Sequence, residues 1–366
     1  MDIALSNSSP LTVKNFRVRA VNVPLGRPVK TSSGAILTAP LVLVDLQTAE
    51  GVVGSSYVFC YMPAALKPVA ILVANIGEML VDDDVAPVAI ANKLEQRFRL
   101  LGPQGLVGIA LAAVDMAAWD ATCRAAGVPM VRFLGGVSRP LDVYNSFGMT
   151  DVSGVGVLAE ESAAAGFHAM KIKIGYPDVA DDVAAIRRVR QVAGETMVLM
   201  ADYNQSLSVP EAIRRVRIID DENIAWIEEP VRADDYAGHA AVAQAARTPI
   251  QIGENWWGPA DMAKSIAAGA SDLAMPDVMK IGGVTGWLRA AALAQAAGLP
   301  MSSHIFPEIS AHLLPISPTC HWLEYLDFAG PILVEPTKVI NGCVSPSSAP
   351  GCGIAWDEKA VERYLA

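Results

Sequence analysis

HAMKIKI at 168–174, MVLMADYN at 197–204, IAWIEE at 224–229 and IQIGEN at 250–255 share one pattern: a short apolar run that ends in polar or ionisable side chains. In the first of these the side chains alternate. Lys171 and Lys173 therefore share one face, and Met170, Ile172 and Ile174 share the other. Taken alone, the lysine pair would suit an antiparallel strand with its charges in water. The neighbouring runs point elsewhere. Eight such runs (142–147, 168–174, 197–202, 224–228, 250–253, 272–275, 301–304 and 322–326) alternate with Ala-rich helical patterns, among them 179–193, 209–220, 236–246, 260–269 and 284–297. Strands separated by helices predict a parallel sheet closed into a barrel. The eighth run lacks a clear following helix, so the expected form is (β/α)7β. Within a parallel barrel strand the apolar face meets the helices, and the two lysines point inward.

Upstream the texture is α+β. Runs at 16–23, 41–46 and 52–59 read as strands, with the turn 48–51 before the third. Helical patterns follow at 63–80, 86–99 and 106–126, the last stopped by Gly127. The expected fold class is therefore α/β, a TIM-like barrel with an α+β capping domain. The cap is assigned to 1–136, the barrel to 137–334, and 335–366 to a C-terminal segment that returns to the cap.

Composition narrows the partners. The chain has 366 residues, 52% apolar and 18% charged, enough to bury a large core. A formal net charge of −10 argues against nucleic acid and anionic membrane, which both demand clustered Lys and Arg. A small anionic substrate stays compatible with a locally positive site. Cys60, Cys123, Cys320, Cys343 and Cys352 form no CxxC pair and no metal-ligand spacing, which reads as reduced thiols in a cytoplasmic protein. The opening MDIALSNSSPLTVKNF lacks a basic start followed by an apolar core, so no signal peptide is expected. Asp115 and Asp120 interrupt the apolar GIALAAVDMAAWDA, so no membrane span is expected either.

Almost every strand-like run ends in a polar residue: Ser146, Lys171 with Lys173, Asp202 with Asn204, Glu228, Glu254, Asp277, His304 and Glu324. By subtraction of sequence numbers, the intervals from Asp202 are 26, 26, 23, 27 and 20 residues, about one βα unit each. A barrel gathers the C-terminal ends of its strands at one mouth, so these residues converge. Asp202, Glu228 or Glu254 alone would be an ordinary surface acid. Three carboxylates at one rim repel unless a hard divalent cation joins them, and Mg²⁺ suits an all-oxygen site. Glu229 points away from Glu228 by alternation. Crowding of Lys171 and Lys173 is expected to lower the pKa of at least one towards that of a base. Asp277, one unit before His304, would fix the ring tautomer and raise its basicity. A lone histidine is more often a structural hydrogen bonder, and His168, His239, His312 and His321 have weaker claims. Asn204 is placed to bond a substrate hydroxyl.

KIKIGYP, DYNQSL, WIEEP, GENWWGP, LAMPDVMKIGGVTGW, MSSHIF and HWLEYLD resemble, in order, the barrel motifs of the mandelate racemase subgroup of the enolase superfamily. VNVPL, TAPLVLVDL and AAVDMAAWDA resemble its first domain. The likeness implies Mg²⁺ held by Asp202, Glu228 and Glu254, and proton removal beside a carboxylate through an ene-diolate. Lys173 would serve one face of the substrate, with Lys171 neutralising the carboxylate and lowering the pKa of Lys173. His304, oriented by Asp277, would serve the other face. Protonated Glu324 would donate a hydrogen bond to the carboxylate, and Ser146 and Asn204 would complete the polar shell. Relatives are commonly octamers, so a homo-oligomer is implied.

The capping loop 26–37 departs from that family in Arg27 and Lys30, and Phe147 is a further departure. Phe59 and Tyr61 keep an apolar cap, and Ile305 and Leu326 add apolar wall. Lys30 is either solvated or turned inward towards a second polar group on the substrate. The resulting expectation is a racemase of mandelate or a related aromatic 2-hydroxy acid. The alternative within the superfamily is an acid-sugar dehydratase. A non-catalytic binding protein that kept the fold would tolerate loss of Lys173, His304 or a metal ligand, yet all are present.

Overall fold

A computed structural model describes residues 10–31 and 34–366. Most of the segment read for a leader, and the tip of the capping loop at Ser32 and Ser33, lie outside the described residues. The chain opens with β1 (Val13–Thr31), β2 (Gly34–Thr48) and β3 (Val53–Phe59), an antiparallel sheet in that order. The stretch 26–37, expected as a loop, instead continues both strands: Val29 pairs with Ile36 and Lys30 with Ala35 after an irregularity past Pro24. β1 and β2 thus project as a hairpin arm. The arm reaches the barrel, where Met149 N donates to Lys30 O at 2.7 Å. Gly148 permits the approach, because a Cβ there would lie 2.3 Å from Lys30 N.

Helices α1 (Pro63–Glu78), α2 (Pro87–Arg97) and α3 (Gly105–Ala125) complete the cap, and the short α4 (Met130–Phe133) leads out of it. At 21 residues α3 is long and apolar enough to cross a bilayer. The two aspartates do not remove that possibility by composition; packing does. Asp115 accepts from Thr285 N at 2.9 Å, and Asp120 from Ser55 N at 2.8 Å and Cys352 N at 2.7 Å, all in the interior. α3 is the core helix joining cap to barrel.

The barrel runs β4 (Leu141–Ser146), α5 (Val152–Ala164), β5 (Ala169–Lys173), α6 (Val179–Ala193), β6 (Val198–Asp202), α7 (Val209–Ile219), β7 (Ile227–Glu228), α8 (Tyr236–Ala245), β8 (Ile250–Ile252), α9 (Pro259–Ala268), β9 (Leu273–Ala274), α10 (Gly283–Ala297), α11 (Pro307–Leu313) and β10 (Leu323–Tyr325). Local chemistry sets these boundaries. Asp151, Asp178 and Asp235 cap α5, α6 and α8 through their carboxylates, and Gly269 and Gly298 end α9 and α10 in left-handed conformation. Parallel pairing follows the order β10-β4-β5-β6-β7-β8-β9.

The expected seventh strand, 301–304, is not regular. It closes the ring by single bridges, Met301 to Ala274 and Cys320, and His304 to Asp277. Ladder bonds are partly replaced by serine hydroxyls: Ser303 Oγ accepts from Glu324 N at 3.2 Å. The chain then turns through two left-handed residues, Ile305 (φ 38°) and Phe306 (φ 51°). Beyond the barrel, β11 (Cys343–Val344) pairs antiparallel with β4, and α12 (Glu358–Arg363) ends the chain. The last residues reach the cap sheet. Ala366 N donates to Ala20 O at 3.0 Å, and Glu358 accepts from Arg19 at 2.8 Å.

Candidate active site

The mouth of the barrel brings together the strand-end residues singled out by spacing. Asp202, Glu228 and Glu254, all buried, each offer a carboxylate oxygen within 4.8 Å of the others. Lys171 Nζ lies 2.5 Å from Glu228 Oε1 and 2.8 Å from Glu324 Oε1, and Lys173 Nζ lies 2.5 Å from Asp202 Oδ2. On the far side His304 bonds Asp277 Oδ2 through Nδ1 at 2.6 Å and approaches Glu254 Oε2 through Nε2 at 3.2 Å. Asp277 is itself held by the Met279 amide at 2.7 Å. Along the ring the triad occupies the third to fifth strands. Lys173 flanks it from the second and His304 from the seventh.

Charge in this centre is unbalanced. Buried carboxylates of Asp202, Glu228, Glu229, Glu254, Asp277 and Glu324 face the cations of Lys171, Lys173 and Lys280 and the imidazole of His304. Even with the imidazole protonated, the acids if all ionised exceed the cations by two charges. One divalent ion fits that deficit, and the all-oxygen donor set fits Mg²⁺. The imbalance also shows in the pKa values. Burial, with repulsion from Asp202, Glu324 and Glu254 against the pull of Lys171, pushes Glu228 up to about 8.

Two expectations about protons are corrected here. Burial does pull Lys173 down, and Lys171 adds to that, but the Asp202 and Glu254 charges outweigh both and its pKa is raised. Lys171 likewise stays well above the usual lysine value: burial lowers it, and Glu228 and Glu324 more than compensate. Lysine crowding is the weaker effect beside carboxylates this close. Glu324, expected protonated, is shifted the other way. Burial raises it, but Lys171, His304 and the Ser146 hydroxyl bring it down to about 2. Ile305 N also donates to Glu324 at 3.0 Å, so the left-handed turn after His304 aims a backbone dipole at this acid. For His304, burial lowers the pKa while Glu254, Glu324 and Asp277 raise it well above the ordinary value.

The remaining candidates divide. Ser146, expected in the polar shell, hydrogen-bonds Glu324 through its hydroxyl. Asn204 sits in a left-handed conformation (φ 49°), and its backbone N–H donates to Asp202 Oδ1 at 2.5 Å. Tyr61 turns a buried hydroxyl, unpartnered among the described residues, towards the acids. Phe59, 2% exposed, stacks on Phe328 at 4.4 Å and packs at a tilt against Tyr61 at 4.7 Å, so it backs Tyr61 instead of forming wall itself. Leu326 lines, with Val29, Ser146, Phe147 and Asp327, a cavity of 340 Å³ between arm and barrel. Ile305 is buried, and its amide is its link to the site. Lys30, named among the substrate contacts and read as either solvated or turned inward, is exposed, which matches the solvated alternative. The arm strand turns Val29 inward and Lys30 out by simple alternation. Arg27, paired with Glu161 at 2.8 Å, lines the arm–barrel cavity beside Leu326.

Sequence reading missed Asn255, Lys280 and the full part of Glu229. Glu229 is buried and accepts from Asn255 Nδ2 at 2.8 Å and 2.9 Å, because a left-handed φ of 37° breaks the alternation. The available signal was a lysine set in the apolar 273–281 run, three residues after Asp277. His239 and His312 are structural, bonded to Asp235 O and Val131 N.

A barrel of this form, with an acid triad between a lysine pair and a His–Asp pair, defines a class of divalent-metal enzymes acting on small anions. Comparison with known proteins gives the family. Residues 155–360 match the enolase C-terminal domain-like model, and residues 13–135 match the mandelate racemase / muconate lactonizing enzyme N-terminal domain. The chain belongs to this family of the enolase superfamily. It is similar to an enolase from Bradyrhizobium crystallised with magnesium and mandelic acid: 48% identity, TM-score 0.94, covering 98% of this chain and 99% of that one. An L-talarate dehydratase from a Polaromonas species, complexed with Mg and L-glucarate, is 29% identical with TM-score 0.90 over 98% and 97% of the two chains. D-galactarolactone cycloisomerase of Agrobacterium fabrum is 31% identical over 97% and 99%.

Proposed function

We propose that this protein is an Mg²⁺-dependent racemase of mandelate or a related aromatic 2-hydroxy acid. The observation that carries the reading is the placement of two proton-transfer groups on either flank of the acid triad, Lys173 against Asp202 and His304 against Glu254. A planar intermediate held between them can be reprotonated from either side, which is what racemisation requires. The Tyr61 ring, backed by the buried Phe59 and Phe328, and the similar chain bound to mandelic acid support an aromatic substrate.

Asp202, Glu228 and Glu254 would hold Mg²⁺, which when bound draws charge from the substrate carboxylate and so acidifies the neighbouring C–H. Lys173 would take or return the proton on one face. His304, with its tautomer fixed by Asp277, would do so on the other. Lys171 would offset the charge that builds on the carboxylate, and Glu324 would join it once it has taken up a proton. Tyr61 and its aromatic backing would exclude water from above.

Incubation of each mandelate enantiomer with enzyme and Mg²⁺ in D₂O is expected to give both inversion and deuterium at the α-carbon. No exchange with either enantiomer would remove mandelate as the substrate.

A second reading, an acid-sugar dehydratase, is favoured by one feature. The Tyr61 hydroxyl, unpartnered among the described residues, suits a polar substrate group, and a relative at 28% identity is by name an L-talarate/galactarate dehydratase. In that reading the same groups expel a β-hydroxyl, and a 2-keto acid formed from a hexarate would identify it.

A further inference from the structure

One buried cation of this centre takes no part in the proton transfers above. Lys280 is 5% exposed, and its ammonium contacts the metal centre only indirectly. It donates to Asn255 Oδ1 at 2.5 Å and lies 4.5 Å from the centroid of the Tyr61 ring and 5.9 Å from that of Trp257. Asn255 in turn donates from Nδ2 to Glu229 and, at 3.0 Å, to Glu254 Oε1. A buried ammonium is costly unless it is well paired; Lys280 touches only a neutral amide and two ring faces, and meets the charges of Glu229 and Glu254 at longer range, across that amide. Its position is explained by what it does to the amide. With an acceptor-less ammonium on one side, Asn255 must turn its oxygen to Lys280 and both its N–H groups to the acids. Without that ammonium the amide is free to flip, and its oxygen would then face two carboxylates.

We infer that Lys280 is a positioning residue of the metal centre. Acting through Asn255, it fixes the orientation of Glu254, holds Glu229 beside it, and through its ring contact ties the capping-domain Tyr61 to the same ligand. The inference rests on Asp202, Glu228 and Glu254 being the Mg²⁺ site.

The test is calorimetric titration of Mg²⁺ into the full-length protein and into Lys280→Met, Asn255→Leu and the double variant, each first shown to keep the parent near-UV circular dichroism. Each single change is expected to weaken Mg²⁺ binding roughly 10–100-fold. The double variant is expected to be no weaker than the poorer single, because both changes break one relay. Lys280→Arg, which keeps a cation over the Tyr61 ring, is expected to hold affinity within about threefold of the parent. Parent-like affinity in Lys280→Met, or losses that multiply in the double variant, would overturn the inference. Should Lys280→Met not fold, Asn255→Leu carries the test, and parent-like affinity there overturns it. A parent protein that binds no Mg²⁺ brings down the metal reading itself, a distinct result.

Discussion

Two groups of buried acids serve different ends in this molecule. At the seam between cap and barrel, Asp115 and Glu308 are hydrogen-bonded by neutral donors: Thr285 N and Oγ1 for the first, Tyr57 Oη at 2.6 Å for the second. Burial pushes each up to about 7. At the mouth the acids crowd one another and face lysines and an imidazole, so their pKa values part in both directions: Glu324 is brought down to about 2 and Glu254 well below the usual value, while Glu228 is pushed up to about 8 and Glu229 well above it. Solitary acids under neutral donors bind parts together. A crowd of acids under mixed charge suits the holding of a cation. The comparison predicts that changes at the mouth remove function while changes at the seam alter stability.

The largest effect belongs to the flanking bases. Lys173→Ala and His304→Asn are each expected to cost roughly 10²–10⁴-fold in α-proton exchange with one mandelate enantiomer. Exchange with the other enantiomer should persist. If either change abolished exchange with both enantiomers in a folded protein, separate facial roles would be wrong.

At the seam the effect is on stability and its pH dependence. The folded pKa of Glu308 lies above its unfolded value near 4.5. Its contribution is therefore fully present below about pH 4.5 and is lost as pH rises towards about 7. Glu308→Gln can keep the bond from Tyr57 without a titrating group. It is expected to remove about 3 kcal/mol at most of the fall in stability across that window, read from denaturant midpoints. An unchanged slope would mean that Glu308 titrates normally.

The smallest effect is expected at Lys30. Its side chain is exposed on the capping arm. Lys30→Ala should change stability by less than about 0.5 kcal/mol and leave exchange rates alone. A marked rise in KM would place the lysine over the mouth after all.

Much of this was legible in the sequence because barrels repeat. One polar residue per βα unit, from Ser146 to Glu324, maps onto one rim once the sheet is known to be parallel, and the helices between the runs establish that. What was not legible depended on local backbone. Glu229 is brought into the centre by a left-handed φ that alternation does not anticipate. The run 301–304 reads as a strand, yet serine hydroxyls supply part of its pairing. The arm at 26–37 has loop-like composition but continues the β1–β2 ladder. Proton affinities at Lys173 and Glu324 depend on distances of a few ångströms among residues far apart in the chain. Spacing cannot give those.

The contrast between mouth and seam is tested most directly by titrating Mg²⁺ into the metal-free protein, Glu228→Gln and Glu308→Gln in a calorimeter. One ion per chain in the parent, lost in Glu228→Gln and retained in Glu308→Gln, is the predicted result. Unchanged binding in Glu228→Gln would contradict the account, as would no binding in the parent.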